Sequence, residues 1–410
     1  MKNTTLIMLA LTSLLSTQCR GAASADEDNR YIPLDLSTKS SEFVQKGHSF
    51  AFEFIDRIND TEKKDYVISP LSMQFLLGMI LDGAQGTTAD EICRVLGYGS
   101  GEVDAVNEYC LAMLEQLPKL DKKTRLDIAN AIFVSEGVPL LDSYEKTVAD
   151  KFRAAVSNLD FNNGEKALKV INGWCSDHTN GMIPKILDEV DPDMLAYLLN
   201  AMYFKSEWTD RFSKSATADE PFTVESGQKR PVKMMKQERE FEYGENSHFR
   251  WVVLPYGNRA FQMNVLMPTE GHTLAEMTEI LKTESWDRIR HNTYPCEVDL
   301  WLPKFESRYH IKLNDILSEM GMPSAFDPHK ADFKAMSKYA FFLDFVQQDA
   351  VIKVDEEGAE AAVISSAGIK LTTAIAPGPH IVFHADHPFL YLITESSTGA
   401  VLFAGRYSGQ

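Results

Sequence analysis

The sequence predicts an α+β protein with large, mainly antiparallel sheets. Helical periodicity dominates the first half of the chain, and short β-branched or aromatic runs bounded by Pro, Gly or Asn dominate the second. At 410 residues, 44% hydrophobic and 24% charged, the chain has ample material for a large core and no bias towards disorder. No internal repeat, low-complexity linker or break in composition divides it, so one domain is expected despite the length.

Taken in order, Ala51, Phe54, Ile55 and Ile58 fall at i, i+3, i+4 and i+7, which places them on one helical face. Ser69-Pro70 supplies a cap and a first-turn proline for "LSMQFLLGMIL". Thr88 to Glu91 reads as a capping box opening "ADEICRVLG", which Gly97 closes. Later, "WVVLPY", "FQMNVLMP", "EVDLWLP" and "PFLYLIT" read as strands.

Residues 1–25 resemble an export signal: Lys2, the apolar run "LIMLALTSLL", and "AASA" as a peptidase site before Asp26. Ten apolar residues are too few to span a bilayer. Cys19 offers a rival reading as a lipid-anchored cysteine, although Gln18 stands where a small residue would be wanted. The protein is thus expected to be secreted, periplasmic or extracellular, with residues 26–44 as a lead-in and 45–410 as the domain. Removing the signal takes away Lys2 and Arg20 and no acid, which moves the net charge from −18 to −20. Nucleic acid and anionic membranes are therefore poor partners. Cys93, Cys110, Cys175 and Cys296 lie in apolar or helical patterns and read as buried free thiols. Asn59-Asp60-Thr61 is a glycan acceptor triplet.

No catalytic constellation survives scrutiny. "HADH", His384 to His387, lacks a helical H-E-x-x-H frame and precedes Pro388 at the start of a strand, so no metal is expected there. "SGQK", Ser226 to Lys229, has S-x-x-K spacing in a polar turn without companion motifs. "GYGSGE", from Gly97, has the wrong spacing for a phosphate loop, and "KLDKKTR", Lys119 to Arg125, reads as a solvated face. An exported hydrolase would need a nucleophile and base that the sequence does not offer. No cofactor is expected.

The stretch Val354 to Pro379, "VDEEGAEAAVISSAGIKLTTAIAPGP", alternates like a strand with no turn signal before Pro377. By parity, one face carries Ala359, Ala361, Val363, Ser365, Ala367, Ile369 and Leu371, apolar apart from one hydroxyl. The other carries Glu360, Ala362, Ile364, Ser366, Gly368, Lys370 and Thr372 and is expected to face solvent. A proline-free segment with this pattern suits a central strand. Its Gly, Ser, Thr and Ala content also suits an exposed loop.

Within it, "VIKVDEEGAEAAV", Val351 to Val363, closely resembles the hinge of inhibitory serpins. Other serpin-like landmarks follow in order: "VISPLS" (Val67 to Ser72), "LDGAQGTT" (Leu81 to Thr88), "LLNAMYFKSEW" (Leu198 to Trp208), "VKMM" (Val232 to Met235), "LPKF" (Leu302 to Phe305), "ADF" (Ala331 to Phe333) and "DHPFLYLI" (Asp386 to Ile393). The resemblance implies the serpin fold, about nine helices around three β-sheets, with an exposed reactive-centre loop over about residues 356–380. It implies an inhibitor and not an enzyme: a protease attacks the loop, and the cleaved loop inserts into the main sheet and traps the acyl-enzyme. A non-inhibitory serpin, acting as carrier, chaperone or storage protein, is the alternative.

Carried over residue by residue, the resemblance makes Glu357, Gly358, Ala359, Glu360, Ala361, Ala362 and Val363 the hinge. Ala359 replaces the common threonine or serine, and Val363 and Ile364 are bulkier than the usual alanines, which implies slower insertion. Ser69, Ser72 and Asn200 match the polar shutter beneath the sheet, with Gln348 in place of its common histidine, and Trp208 matches the aromatic residue of the breach, where the loop enters. Family spacing places the reactive bond at Thr372-Thr373, with Lys370-Leu371 and Leu371-Thr372 as alternatives. The implied targets are elastase-, subtilisin-, chymotrypsin- or trypsin-like serine proteases, and papain-like cysteine proteases for some relatives. The segment "GEVDAVNEYCLAMLEQ" is acidic, so polyanion activation is not expected. A monomer is.

Overall fold

The structure is a computed structural model that describes residues 29–340, 342–359 and 379–410. The helices are α1 (Thr38–Thr61), α2 (Pro70–Gly83), α3 (Gly86–Val95), α4 (Val103–Gln116), α5 (Asp142–Phe152), α6 (Gly164–His178), α7 (Leu274–Thr283), α8 (Trp286–His291) and α9 (Asn314–Met320). The strands are β1 (Tyr66–Ile68), β2 (Arg125–Ser135), β3 (Ala155–Leu159), β4 (Ala196–Glu207), β5 (Ala218–Thr223), β6 (Lys229–Glu245), β7 (Phe249–Tyr256), β8 (Phe261–Pro268), β9 (Tyr294–Pro303), β10 (Phe305–Lys312), β11 (Gln347–Val354), β12 (Gly358–Ala359), β13 (His380–His384), β14 (Phe389–Glu395) and β15 (Val401–Tyr407).

The fold class is the expected α+β. Among the described residues the strands form two hydrogen-bonded sheets, one ordered β10-β11-β12-β4-β2-β3 and the other β1-β15-β14-β8-β7-β6-β9-β13, with β5 on β6. The long strand β6 accounts for the second. It pairs with β9 over Met234–Tyr243 and with β7 over Glu242–Glu245, and so joins two smaller sheets into one ladder.

Local signals hold at α2, where the Ser69 hydroxyl accepts the Ser72 N–H and Pro70 occupies the first turn. At α3 they hold only at the end. Gly97 (φ +74°) closes that helix, with Tyr98 N–H on Cys93 C=O (2.7 Å) and Gly97 N–H on Arg94 C=O (3.1 Å). The helix starts earlier than Thr88, however, at Gly86, and the Thr88 hydroxyl accepts the Asp332 N–H instead of capping. A long-range partner has taken the capping oxygen.

The faces of the six-stranded sheet differ. Met202, Phe204, Ala350, Ile352 and Val354 join the main core with α1 and α2. On the reverse, Tyr197 and Leu199 pack with Ala167, Ile171 and Cys175 of α6 in a second cluster. The four cysteines are buried and unpaired. Asn59 is buried as well, accepting from Arg406 Nη1 at 3.1 Å, so the glycan triplet lies out of reach of a glycosylating enzyme in the folded chain.

Candidate functional site

Strands β4 and β11 are connected through the two residues of β12 and share no ladder of their own among the described residues. Gly358 and Ala359 pair with Glu207 and Ser206 of β4 on one side, and Ala359 pairs with Val354 of β11 on the other. Both pairings are antiparallel. The chain reaches this position through a turn the sequence reading missed: Asp355 and Gly358 exchange backbone hydrogen bonds (3.0 and 3.2 Å) around Glu356-Glu357, and the Asp355 carboxylate accepts the Glu357 N–H (2.9 Å). Gly358 has φ +150°, and a Cβ there would lie 2.1 Å from the Ser206 carbonyl oxygen. Only glycine lets the strand approach β4 so closely.

Trp208 holds this turn. Its indole Nε1 donates to the Asp355 carbonyl and its backbone N–H to the Glu357 carbonyl, both at 2.8 Å, while its ring stacks on Tyr256 at 4.3 Å. Phe212 N–H donates to the Glu356 carbonyl at 3.0 Å. The two glutamates are buried, yet each has a cation: Lys304 Nζ lies 2.7 Å from Glu356, and Lys214 Nζ lies 2.6 Å from Glu357. Thr217 adds a hydroxyl to Glu356 at 2.9 Å. Burial alone would raise the Glu356 pKa, but Lys304, the backbone and Thr217 together hold it below the usual carboxylate value. A depressed acid contributes stability above its unfolded pKa and loses it as pH falls through the folded one. Replacing Lys304 with alanine should therefore lower the melting temperature at neutral pH and lower it by less near pH 3, because the pairing is lost only as pH falls through the carboxylate's depressed folded value. Lys304 is half-exposed, so about 1–3 kcal/mol is expected. Thermal melts of both proteins at the two pH values check this.

Lower in the opening, four residues the resemblance singled out meet at the start of α2. Gln348 of β11 grips Ser69 at both backbone groups, accepting its N–H and donating to its C=O, each at 2.9 Å. The Ser69 hydroxyl donates to the Leu402 carbonyl at 2.6 Å. Ser72 is hydrogen-bonded to Asn200 of β4, whose amide donates to Asn130 (2.7 Å), which in turn donates to the Phe152 carbonyl (2.7 Å). The N-terminus of α2 thus ties together the two strands that share no ladder.

Glu357, Gly358, Ala359 and Trp208 lie together at the top of the opening, and Ser69, Ser72, Asn200 and Gln348 lie below. Glu360, Ala361, Ala362, Val363, Lys370, Leu371, Thr372 and Thr373 fall outside the described residues. The sequence reading missed Asn130, Glu356, Lys214 and Lys304. Lys304 sits inside the quoted "LPKF", but nothing local couples it to an acid 52 positions away. Of the residues set aside earlier, His384 stacks on Trp301 and contacts Asp299 (2.9 Å), His387 contacts Asp386 (2.9 Å), and Ser226 to Lys229 lead from β5 into β6.

A main sheet in which β4 and β11 share no ladder among the described residues, with a two-residue strand begun between them and a polar cluster beneath, marks a class of proteins whose sheet can take up a further strand. The chain belongs to the serpin family: the family model "Serpin (serine protease inhibitor)" matches residues 45–409. Serpin B6 of Macaca fascicularis is 32% identical over 370 residues, covering 88% of this chain and 97% of that protein. The leukocyte elastase inhibitor of Xenopus laevis is 32% identical over 373 residues, with the same coverage. The crystal structure of the thermophilic serpin Tengpin in its native state superposes with a TM-score of 0.82 at 27% identity, covering 94% of this chain and 98% of that one.

Proposed function

We propose that the protein inhibits serine proteases as a suicide substrate, by a trap that depends on strand insertion. The observation that carries this reading is the hairpin at Asp355–Gly358, which begins a strand between β4 and β11 where no ladder closes the sheet. The protease serine attacks the carbonyl carbon of Thr372 and expels the Thr373 amine, leaving an ester between enzyme and loop. The freed segment extends β12 downwards, carrying the enzyme with it before water cleaves the ester. No residue of this chain takes part in bond breaking, so it is no enzyme. Lys370-Leu371 and Leu371-Thr372 stay as alternative bonds, the first suited to trypsin-like pockets. Papain-like cysteine proteases would be trapped as thioesters by the same movement. The protein acts as a monomer after export, with residues 1–25 removed as a signal; lipidation at Cys19 is the alternative route.

An elastase- or subtilisin-like protease should form a complex that survives boiling in detergent, with a released peptide beginning at Thr373 by mass spectrometry. Trypsin-, chymotrypsin- and papain-like enzymes complete the panel. If every enzyme cuts the loop and stays fully active, inhibition is the wrong function.

A further inference from the structure

Asp82 lies in the last turn of α2, at the far end of that helix from Ser69 and Ser72. Its side chain reaches across to α4, where Oδ1 accepts the Asn107 Nδ2–H at 2.8 Å. This bond engages one atom of each group. The other two, Asp82 Oδ2 and Asn107 Oδ1, are buried and have no hydrogen-bond partner, and Asn107 as a whole is 4% exposed. An ionised carboxylate offers only acceptors, whereas a protonated one offers a donor and an acceptor side by side, as an amide does. With its proton off, Asp82 leaves two buried acceptors without a donor in a single contact, which is costly. With its proton on, Oδ2–H supplies the donor that the spare oxygen of Asn107 lacks.

The surroundings favour the proton. Burial pushes the Asp82 pKa up to about 6; the Asn107 bond opposes the rise, and the Asp104 carboxylate of α4 adds to it. The other titratable groups facing Asp82 are neutral ones: the Cys110 thiol of α4 and the Tyr144 phenol of α5, both raised in pKa by burial and by the Asp82 charge. The Tyr144 hydroxyl donates to the Met79 carbonyl of α2 at 3.1 Å, so its proton is already engaged. Cations on the neighbouring elements are taken up elsewhere. Lys151 of α5 pairs with Glu108 at 2.5 Å, and Lys334, in the segment that packs Met336 against Gly83, pairs with Asp332 at 3.1 Å.

We propose that the Asp82–Asn107 contact is a proton-operated latch between α2 and α4: on taking a proton from solvent, Asp82 donates through Oδ2–H to Asn107 Oδ1 and closes a ring of two hydrogen bonds. The acid form is the tighter one. The folded chain holds this proton more firmly than the unfolded chain does, so the contribution to stability is complete below the unfolded pKa and is lost as pH rises through about 6. Both helices that Asp82 touches beyond α4 lead to the polar cluster. Its own helix begins with Ser69 and Ser72, and α5, which meets it at Tyr144, ends in the Phe152 carbonyl that accepts from Asn130. Mild acid thus fastens the helices behind the sheet. The latch stands on these contacts alone and does not depend on strand insertion.

Nuclear magnetic resonance of the isotopically labelled parent, together with urea unfolding of the parent and Asp82→Asn, tests this between pH 5 and pH 7.5. The Asp82 carboxyl carbon should titrate with a midpoint near pH 6, and the Asn107 side-chain amide resonances should move with the same midpoint. The amide introduced by Asp82→Asn carries the donor and acceptor of the acid form at every pH. From pH 5 to pH 7.5 the unfolding constant of the parent should therefore rise about tenfold more than that of Asp82→Asn. Histidines and other acids are common to the two proteins and cancel in the comparison. A carboxyl midpoint below pH 5, Asn107 resonances that stay still while Asp82 titrates, or the same pH dependence in both proteins would each overturn the proposal. The resonances are read on the parent, so failure of the variant to fold leaves the test intact.

Discussion

Cleavage within residues 365–375 should raise the melting temperature of the protein by roughly 15 °C or more. The inserted segment would gain a ladder on each side, where β4 and β11 now lack one, and those hydrogen bonds offset much of the ordering cost of the strand. When the cut falls at Thr372-Thr373, burial of Val363, Ile369 and Leu371 adds about 1.5–3 kcal/mol each. Each kcal/mol shifts the melting temperature by about 2–4 °C in chains somewhat shorter than this one. Calorimetry of intact and nicked protein decides the matter; equal melting temperatures would show that the opening does not accept the loop.

Ala361→Arg should convert the protein from inhibitor to substrate. Residue 361 lies about ten positions before the reactive bond, beyond most protease subsites, so the same bond should still be cut. On insertion it comes level with Phe204 and Ile352, both buried in the main core. A buried arginine there has no partner, at a cost of several kcal/mol, roughly. Deacylation should then outrun insertion. Glu360→Arg, one residue away, falls on the opposite face at the top of the sheet, level with Lys205 and Lys353. Glu360 would pair there with two half-exposed lysines, so its reversal should slow insertion measurably while leaving most of the complex. The check is the ratio of complex to cleaved inhibitor on denaturing gels, with the released peptide sized by mass. Equal loss in both variants would show that the inward and outward assignments are mistaken.

Much of this was legible in the sequence, and the rest was hidden for identifiable physical reasons. Ser69-Pro70 marked α2 because both signals are local. Thr88 misled because its oxygen is used by Asp332, far away in sequence. The turn at Asp355–Gly358 escaped notice because its central residues are glutamates, ordinary on the surface and stabilised here by Lys214 and Lys304. Parity correctly placed Ala359 on the core face, where it is buried. It could not show that α6, from much earlier in the chain, packs on the reverse of the sheet at Tyr197 and Leu199. The resemblance pointed to Ser69, Ser72, Asn200 and Gln348 as a group; the order in which hydrogen bonds link them required coordinates.

The amide at position 348 has a consequence for how the sheet yields. Gln348 grips Ser69 with a neutral pair of hydrogen bonds, whereas the turn above is fastened by Lys304 on Glu356 and Lys214 on Glu357. Salt weakens ion pairs of this half-exposed kind and leaves a buried amide pair largely untouched. At high salt the two strands should therefore part from the top like a zip with its slider at one end, while the middle stays fastened and limits how far the gap can run.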